Sequence, residues 1–80
     1  MSTSAVEIKP LVVDVAFSES ALRAILADGR EVSVPLAWFP RLQHASAEQR
    51  QHWRLIGAGV GIHWPDVDED ISATSLLATH

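Results

Sequence analysis

The chain has 80 residues and no cysteine, which excludes disulfide bonds, thiolate metal ligands and a cysteine nucleophile. Apolar residues make up 48% and charged residues 20%, a balance typical of a folded domain with one hydrophobic core. The formal net charge of −4 offers no general attraction to nucleic-acid phosphates, and no apolar run approaches the roughly 20 residues of a membrane-spanning helix. We expect one cytoplasmic domain over residues 1–80, with residues 1–4 as a loose terminus.

Residues 11–17 predict the first strand. Their side chains alternate, with Val13, Val15 and Phe17 on one face and more polar positions on the other. A period of two is typical of a strand that buries one side. These three side chains are therefore expected in the core.

The dipeptide Asp28-Gly29 predicts a hairpin between two further strands. Residues 22–27 and 31–34 both alternate apolar and polar side chains on either side of it. Asp-Gly tolerates positive φ at both central positions of a type I′ turn, which closes a tight antiparallel hairpin. The first half of the chain therefore predicts a meander of three antiparallel strands.

Two prolines and a capping motif predict helical structure in the middle of the chain. Pro35 cannot continue a strand ladder and Pro40 suits the first turn of a helix, so residues 36–42 are expected as a turn and a short helix. The sequence Ser46-Ala47-Glu48-Gln49 matches a capping box. A covering helix is therefore predicted from residue 47 to about residue 55.

The last third predicts a fourth strand and a short terminal element. Residues 56–64 alternate large apolar side chains with three glycines, whose bare Cα atoms would let a helix or a tryptophan ring approach closely. Pro65 ends this strand, residues 66–70 form an acidic turn, and residues 71–77 extend a strand or form one helical turn. The expected fold class is a small α+β domain.

His63 is the candidate for acid–base chemistry or metal binding, because it lies close to the acidic residues 66–70. A structural hydrogen bond is the alternative role, and we favour it because no nucleophile motif accompanies the histidine. An EF-hand loop starting at Asp66 would need Gly at Ile71 and Glu at Leu77. We therefore expect no catalytic residue, cofactor or metal.

The three tryptophans are expected to supply much of the core, since each buries on the order of 200 Å² when packed. Trp53 and Trp64 are predicted core residues. Trp38 has a second interpretation, because Phe39 and Pro40 follow it in a loop-like stretch. An exposed aromatic cluster of this kind is typical of a binding hot spot.

An ordered set of motifs resembles the bacterial family known as domain of unknown function 2442. The resemblance implies a compact α+β domain that is often encoded beside another small protein, and some such pairs are regarded as toxin and antitoxin. It supplies no catalytic residues, and the helix-turn-helix domain that some relatives carry has no counterpart in this sequence. The motifs are Val34-Pro35-Leu36-Ala37-Trp38-Phe39-Pro40-Arg41-Leu42, Glu48-Gln49-Arg50, Trp53, Ile56-Gly57, Gly61-Ile62-His63-Trp64-Pro65, Asp68-Glu69-Asp70-Ile71 and Leu76-Leu77.

We therefore expect a non-catalytic module that binds a small protein, in the manner of an antitoxin, with self-association as a further alternative. The predicted surface is the connection after the meander and the arginine-rich helix, with an apolar centre and a rim of exposed donors; the glycine-rich strand is not part of it. An accessory DNA-binding protein is the second alternative and a small enzyme using His63 the third. The predicted contact residues are Trp38, Phe39, Pro40, Arg41, Arg50 and Arg54.

Overall fold

The structure, a computed structural model, describes residues 10–77 as two three-stranded antiparallel sheets with short helices. The expected loose terminus at residues 1–4 lies outside this range. The α+β fold class is confirmed, with six strands in place of four. The strands are β1 (Val12–Phe17), β2 (Ala21–Leu26), β3 (Glu31–Pro35), β4 (Arg54–Ile56), β5 (Gly61–Trp64) and β6 (Glu69–Ser72). The helices are a 3-10 helix (Leu36–Trp38), α1 (Pro40–Gln43), α2 (Ala47–Gln51) and α3 (Ala73–Leu77).

The predicted meander is confirmed as the sheet β1-β2-β3, but the predicted inner face of β1 is wrong at its start. Val12 lies opposite Leu26 while Asp14 lies opposite Ile25, so Val13 is the extra residue of a β-bulge. The bulge turns Val13 outward, with half of its surface exposed, and places Val12 in the core. Simple alternation from residue 11 could not show this shift.

The Asp28-Gly29 hairpin is confirmed, but its turn is not type I′. The Gly29 amide donates to the Leu26 carbonyl. Of the two residues Asp28 and Gly29, only Gly29 has a positive φ, at 94°. The turn is therefore centred one residue earlier, on Ala27 and Asp28, with Gly29 in the left-handed position that follows. The backbone amide of Arg30 donates to the Asp28 carboxylate, and this hydrogen bond is the main cause of the lowered pKa of Asp28.

The capping box of α2 is confirmed. The Ser46 hydroxyl accepts from the Gln49 amide at 3.1 Å, and the Gln49 side chain accepts from the Ser46 amide at 2.9 Å. The helix ends at Gln51, however, and the predicted extension to residue 55 is wrong. Residues Arg54–Ile56 instead form β4, because pairing with β5 satisfies their backbone groups.

The predicted fourth strand over residues 56–64 is a hairpin. Its two arms are β4 and β5, and the chain reverses between them where Gly57 and Gly59 have φ of 60° and 114°. Glycine adopts these angles without the steric penalty that other residues suffer. The alternation of glycine with aliphatic residues therefore imitates a single strand although it contains a turn. We call residues 54–64 the glycine hairpin.

Backbone hydrogen bonds tie the glycine hairpin to the rest of the chain. The Val12 amide donates to the Gly59 carbonyl at 2.8 Å, and the Ala73 amide donates to the Val60 carbonyl at 2.9 Å. The first bond connects β1 to the hairpin turn. A Cβ atom on Gly59 would lie 2.3 Å from the Val12 carbonyl oxygen, so β1 approaches a site that only glycine leaves open. A strand backbone, and not the expected helix or tryptophan ring, makes this close approach.

Both sheets contribute to one hydrophobic core. Trp64 is fully buried at its centre, its indole N–H donates to the Arg50 carbonyl at 3.0 Å, and its ring meets Phe17 edge-on at 6.2 Å. Trp53 is half-buried against the same core. The buried residues are Val12, Val15, Leu22, Ala24, Leu26, Val34, Leu36, Leu42, Ile62, Trp64, Ile71, Ala73 and Leu76. Within residues 10–77, no helix has the length and apolar character needed to cross a membrane.

Replacing Gly59 by Ala should destabilise the protein by about 2–4 kcal/mol, since the new methyl meets the Val12 backbone and φ is unfavourable for alanine. Gly29→Ala is the matched control, because its φ is also positive but nothing lies within 4 Å of the added atom. Its cost should be nearer 1 kcal/mol. Urea denaturation measures both. Equal losses in the two variants would contradict the tight β1 junction.

Replacing Trp64 by Ala should cost about 3–5 kcal/mol, because a fully buried ring and its hydrogen bond are both lost. Trp53→Ala should cost less, since that side chain remains partly exposed. Thermal and urea unfolding of the two variants provide the comparison. A melting temperature for Trp64→Ala within about two degrees of the parent would show that Trp64 is not the centre of the core.

Candidate functional site

The stretch from Trp38 to Arg41 lies on the surface, between the first sheet and α2. Trp38 ends the 3-10 helix with 45% of its surface exposed, and Pro40 and Arg41 are exposed at the start of α1. Phe39 is half-buried and packs on the core, where its carbonyl accepts from the amides of the first turn of α1. Phe39 therefore anchors the stretch from below, and its neighbours face outward.

Pro35 and Pro40 explain why this stretch stands apart from the sheets. Pro35 is the last residue of β3 and has no amide with which to extend the ladder. Pro40 occupies the first position of α1, where its missing N–H costs no helical hydrogen bond. The four residues between them can only form a tight connection, and Leu36 is its buried anchor.

The three predicted arginines occupy different environments. Arg41 is exposed, and its guanidinium donates to the Asp68 carbonyl in the β5–β6 turn. Arg54 is exposed on β4 and makes no ion pair or hydrogen bond with another side chain of residues 10–77. Arg50 is half-buried. Trp38, Pro40 and Arg41 thus lie within one short exposed segment of the chain, while Arg54 belongs to the second sheet.

Arg50 connects the two short helices and is not a free rim donor. Its Nε donates to the Leu42 carbonyl and its Nη2 to the Gln43 carbonyl, both at 2.8 Å. These carbonyls lie at the end of α1, where a helix has no internal donors left. The guanidinium also lies 5.9 Å from the centre of the Phe17 ring, within cation–π range. Arg50 therefore holds α2 against the end of α1, the helix that begins in the exposed stretch.

Two histidine–aspartate pairs flank the acidic turn. His63 Nδ1 contacts the carboxylate of Asp70, its cross-strand partner on β6. His52 Nδ1 lies 2.7 Å from the carboxylate of Asp66, so the residue after α2 is tied to the β5–β6 turn. The sequence indicated an acidic partner for His63 but missed that of His52. Only the fold brings residue 52 beside residue 66.

The pair of His63 and Asp70 has the chemistry of an oriented base, but its setting is open. The Asp70 side chain is 66% exposed and that of His63 34%, on the hairpin formed by β5 and β6. Within the described part of the chain, no three histidine, aspartate or glutamate side chains gather as metal ligands. A small pocket lies elsewhere, on the first sheet, and is lined by Ala16, Phe17, Ser18, Ala21, Arg23 and Ser33.

The sequence missed three exposed aliphatic residues at the glycine hairpin. Leu55, Ile56 and Val60 are 37%, 40% and 48% exposed. Val13 is also exposed, on β1, where the bulge turns it outward. These four side chains and Trp38 are the large exposed hydrophobic residues of the described range. Their exposure could not be predicted from the sequence, because the alternating apolar residues of a strand normally face the core.

The architecture is that of a small α+β domain with two antiparallel meanders, and comparison with known proteins identifies its family. The family described as "Protein of unknown function (DUF2442)" matches residues 12–79, so the chain belongs to this family. The chain is also similar to a solved protein of unknown function from Rhodospirillum rubrum ATCC 11170. The two share 24% identity and a TM-score of 0.74 over 88% of this chain and 87% of the other. That likeness shows a shared fold. Among curated proteins, no sequence matches.

Replacing Arg50 by Ala should destabilise the protein by about 1–3 kcal/mol, because two carbonyls of α1 lose a charged donor. Arg54→Ala is the matched control and should change the free energy of unfolding by less than about 0.5 kcal/mol, because Arg54 is exposed and pairs with no other side chain of residues 10–77. Urea denaturation compares them. If Arg50→Ala were as stable as Arg54→Ala, the connection between α1 and α2 would not depend on this side chain.

Proposed function

We propose that this chain is a non-catalytic module that binds a protein partner through the stretch from Trp38 to Arg41. The observation that carries the proposal is the exposed Trp38 ring, held on a short helix between two prolines and followed by exposed Pro40 and Arg41. Tryptophan and arginine are enriched among the residues that dominate binding energies at protein interfaces. Half-buried Phe39 and the Arg50 hydrogen bonds beneath would hold the surface in place before binding, which lowers the entropy cost of association.

The more specific form of the proposal is that the chain is the antitoxin-like half of a two-gene pair. The family resemblance supports it, because it implies a domain that is often encoded beside another small protein. The partner would then be the product of the adjacent gene. A partner that fits this surface needs a pocket for the Trp38 indole ring and a hydrogen-bond acceptor for Arg41.

Three observations favour protein binding over the alternatives. Arg50 directs its guanidinium at helix carbonyls, which removes one of three arginines from any phosphate contact, and the net charge is −4. The carboxylate that pairs with His63 belongs to Asp70, whose side chain is 66% exposed, whereas the polar groups of active sites usually lie inside clefts. A salt-dependent shift of DNA mobility would favour nucleic-acid binding. An activity lost in His63→Ala at unchanged stability would favour an enzyme.

The test is capture of the tagged adjacent-gene product by purified Trp38→Ala and Arg41→Glu variants. Each should weaken capture by at least about tenfold while the protein stays folded, because hot-spot residues carry 2 kcal/mol or more. Val13→Ala is the matched control, since Val13 is similarly exposed on the first sheet and lies outside the proposed surface. Undiminished capture by both folded variants, or equal loss in the control, would overturn the proposed surface.

A further inference from the structure

The outer edge of β4 differs from the other three sheet edges. β4 ends the order β4-β5-β6, so no described strand pairs with its outer side, and all three of its residues are exposed. Unpaired edges attract other strands, and proteins usually protect them with charges, prolines or bulges. The protection of each edge can therefore be compared.

The other edges carry such protection. β1 has its bulge at Val13, and the Asp14 carboxylate occupies the Val15 amide at 2.8 Å. β3 ends in Pro35, and β6 begins with two acidic side chains and runs directly into α3. β4 has no proline, bulge or acidic residue, and its protection consists of its shortness and the single charge of Arg54. It carries Leu55 and Ile56, two of the large exposed hydrophobic residues.

Arg54 indicates what kind of strand would fit. It is the only charged side chain of β4, and no acidic group of residues 10–77 pairs with it. Opposite charges on facing strands stabilise a sheet, and like charges destabilise it. A carboxylate placed opposite Arg54 would therefore complete this edge electrostatically, and aliphatic side chains opposite Leu55 and Ile56 would cover the exposed apolar surface.

Pairing β4 with β4 of a second copy does not supply this complement. In a two-fold antiparallel pairing centred on Leu55, each Arg54 would lie opposite Ile56 of the other copy. Both guanidinium groups would then remain unpaired, because β4 contains no acidic residue. A parallel pairing in register would place Arg54 against Arg54. The acidic edge strand β6 of a second copy fits poorly as well, because antiparallel pairing with Asp70 or Glu69 opposite Arg54 would place Glu69 or Asp68 opposite Leu55. The pattern thus favours an acidic–aliphatic strand from a different protein.

We propose that β4 binds an extended acidic–aliphatic segment of the protein partner by adding a strand to the second sheet. The segment pairs antiparallel to β4, with a glutamate or aspartate opposite Arg54 and aliphatic residues opposite Leu55 and Ile56. Backbone hydrogen bonds along the edge supply affinity, and the Arg54 pairing supplies direction and register. The inference rests on the proposed function, since it adds a contact to the same partner-binding role.

The probe is the synthetic peptide acetyl-Ser-Val-Val-Glu-Thr-amide, which places valines opposite Ile56 and Leu55 and glutamate opposite Arg54. It is titrated into isotope-labelled protein while amide resonances are followed by NMR. The largest shifts are expected at the amides of Arg54–Ile56. A control peptide with lysine in place of glutamate should bind about fivefold more weakly, since a like-charged pair replaces an attractive one.

The charge-swapped variant Arg54→Glu makes the test specific. It should prefer the lysine peptide over the glutamate peptide, because the pairing is then reversed. It should remain folded because Arg54 is exposed and pairs with no side chain in the described part of the chain. Shifts centred elsewhere, or an unchanged preference in Arg54→Glu, would overturn the inference. Concentration-dependent dimerisation through β4 without added peptide would overturn it in favour of a second copy.

Failure of the strand addition can be told apart from failure of the proposed function. Capture of the adjacent-gene product that is lost in Trp38→Ala but retained in Arg54→Glu would overturn the β4 inference and leave the Trp38 surface intact. Capture that is lost in Arg54→Glu but retained in Trp38→Ala would overturn the Trp38 surface and leave the β4 inference intact.

Discussion

The close approach of Val12 to Gly59 is the constraint on which the rest of the structure depends. The hydrogen bond from the Val12 amide to the Gly59 carbonyl brings β1 of the first sheet onto the turn of the second, where a side chain at position 59 would collide with the strand. Because the hairpin turn is held there, β5 can bury Ile62 and Trp64 in the common core. β4, the other arm, is left at the outer edge. Exposure of Leu55 and Ile56 is thus a consequence of how the sheets meet.

The same constraint explains which structural features could be predicted from the sequence. The meander and the capping box depend on neighbours a few residues apart, so the alternation around Asp28-Gly29 and the Ser46–Gln49 pattern were sufficient. The bulge at Val13 and the reversal after Ile56 depend on contacts between distant segments. Both features depend on the contact between residues 12 and 59, and the periodicity of the sequence carries no information about contacts between distant segments.

The candidate surface was predictable only in part, for a related reason. Trp38 and Pro40 could be placed on the surface because two prolines bar their stretch from the sheet, a local effect. The role of Arg50 could not be foreseen, since the carbonyls that it binds belong to α1 and the ring beneath it to β1. Likewise, His52 meets Asp66 only after the second sheet has formed. An arginine or histidine in a polar helix looks exposed until its tertiary partners are known.

Native-state hydrogen exchange at the Val12 amide tests the joining of the two sheets most directly. If the Gly59 junction makes both sheets one cooperative unit, the Val12 amide should exchange only through global unfolding. Its free energy of exchange would then equal that of the β5 amides and follow denaturant with the same slope. Exchange of Val12 through a smaller local opening, with the two sheets unfolding at separate free energies, would contradict the central place given to this junction.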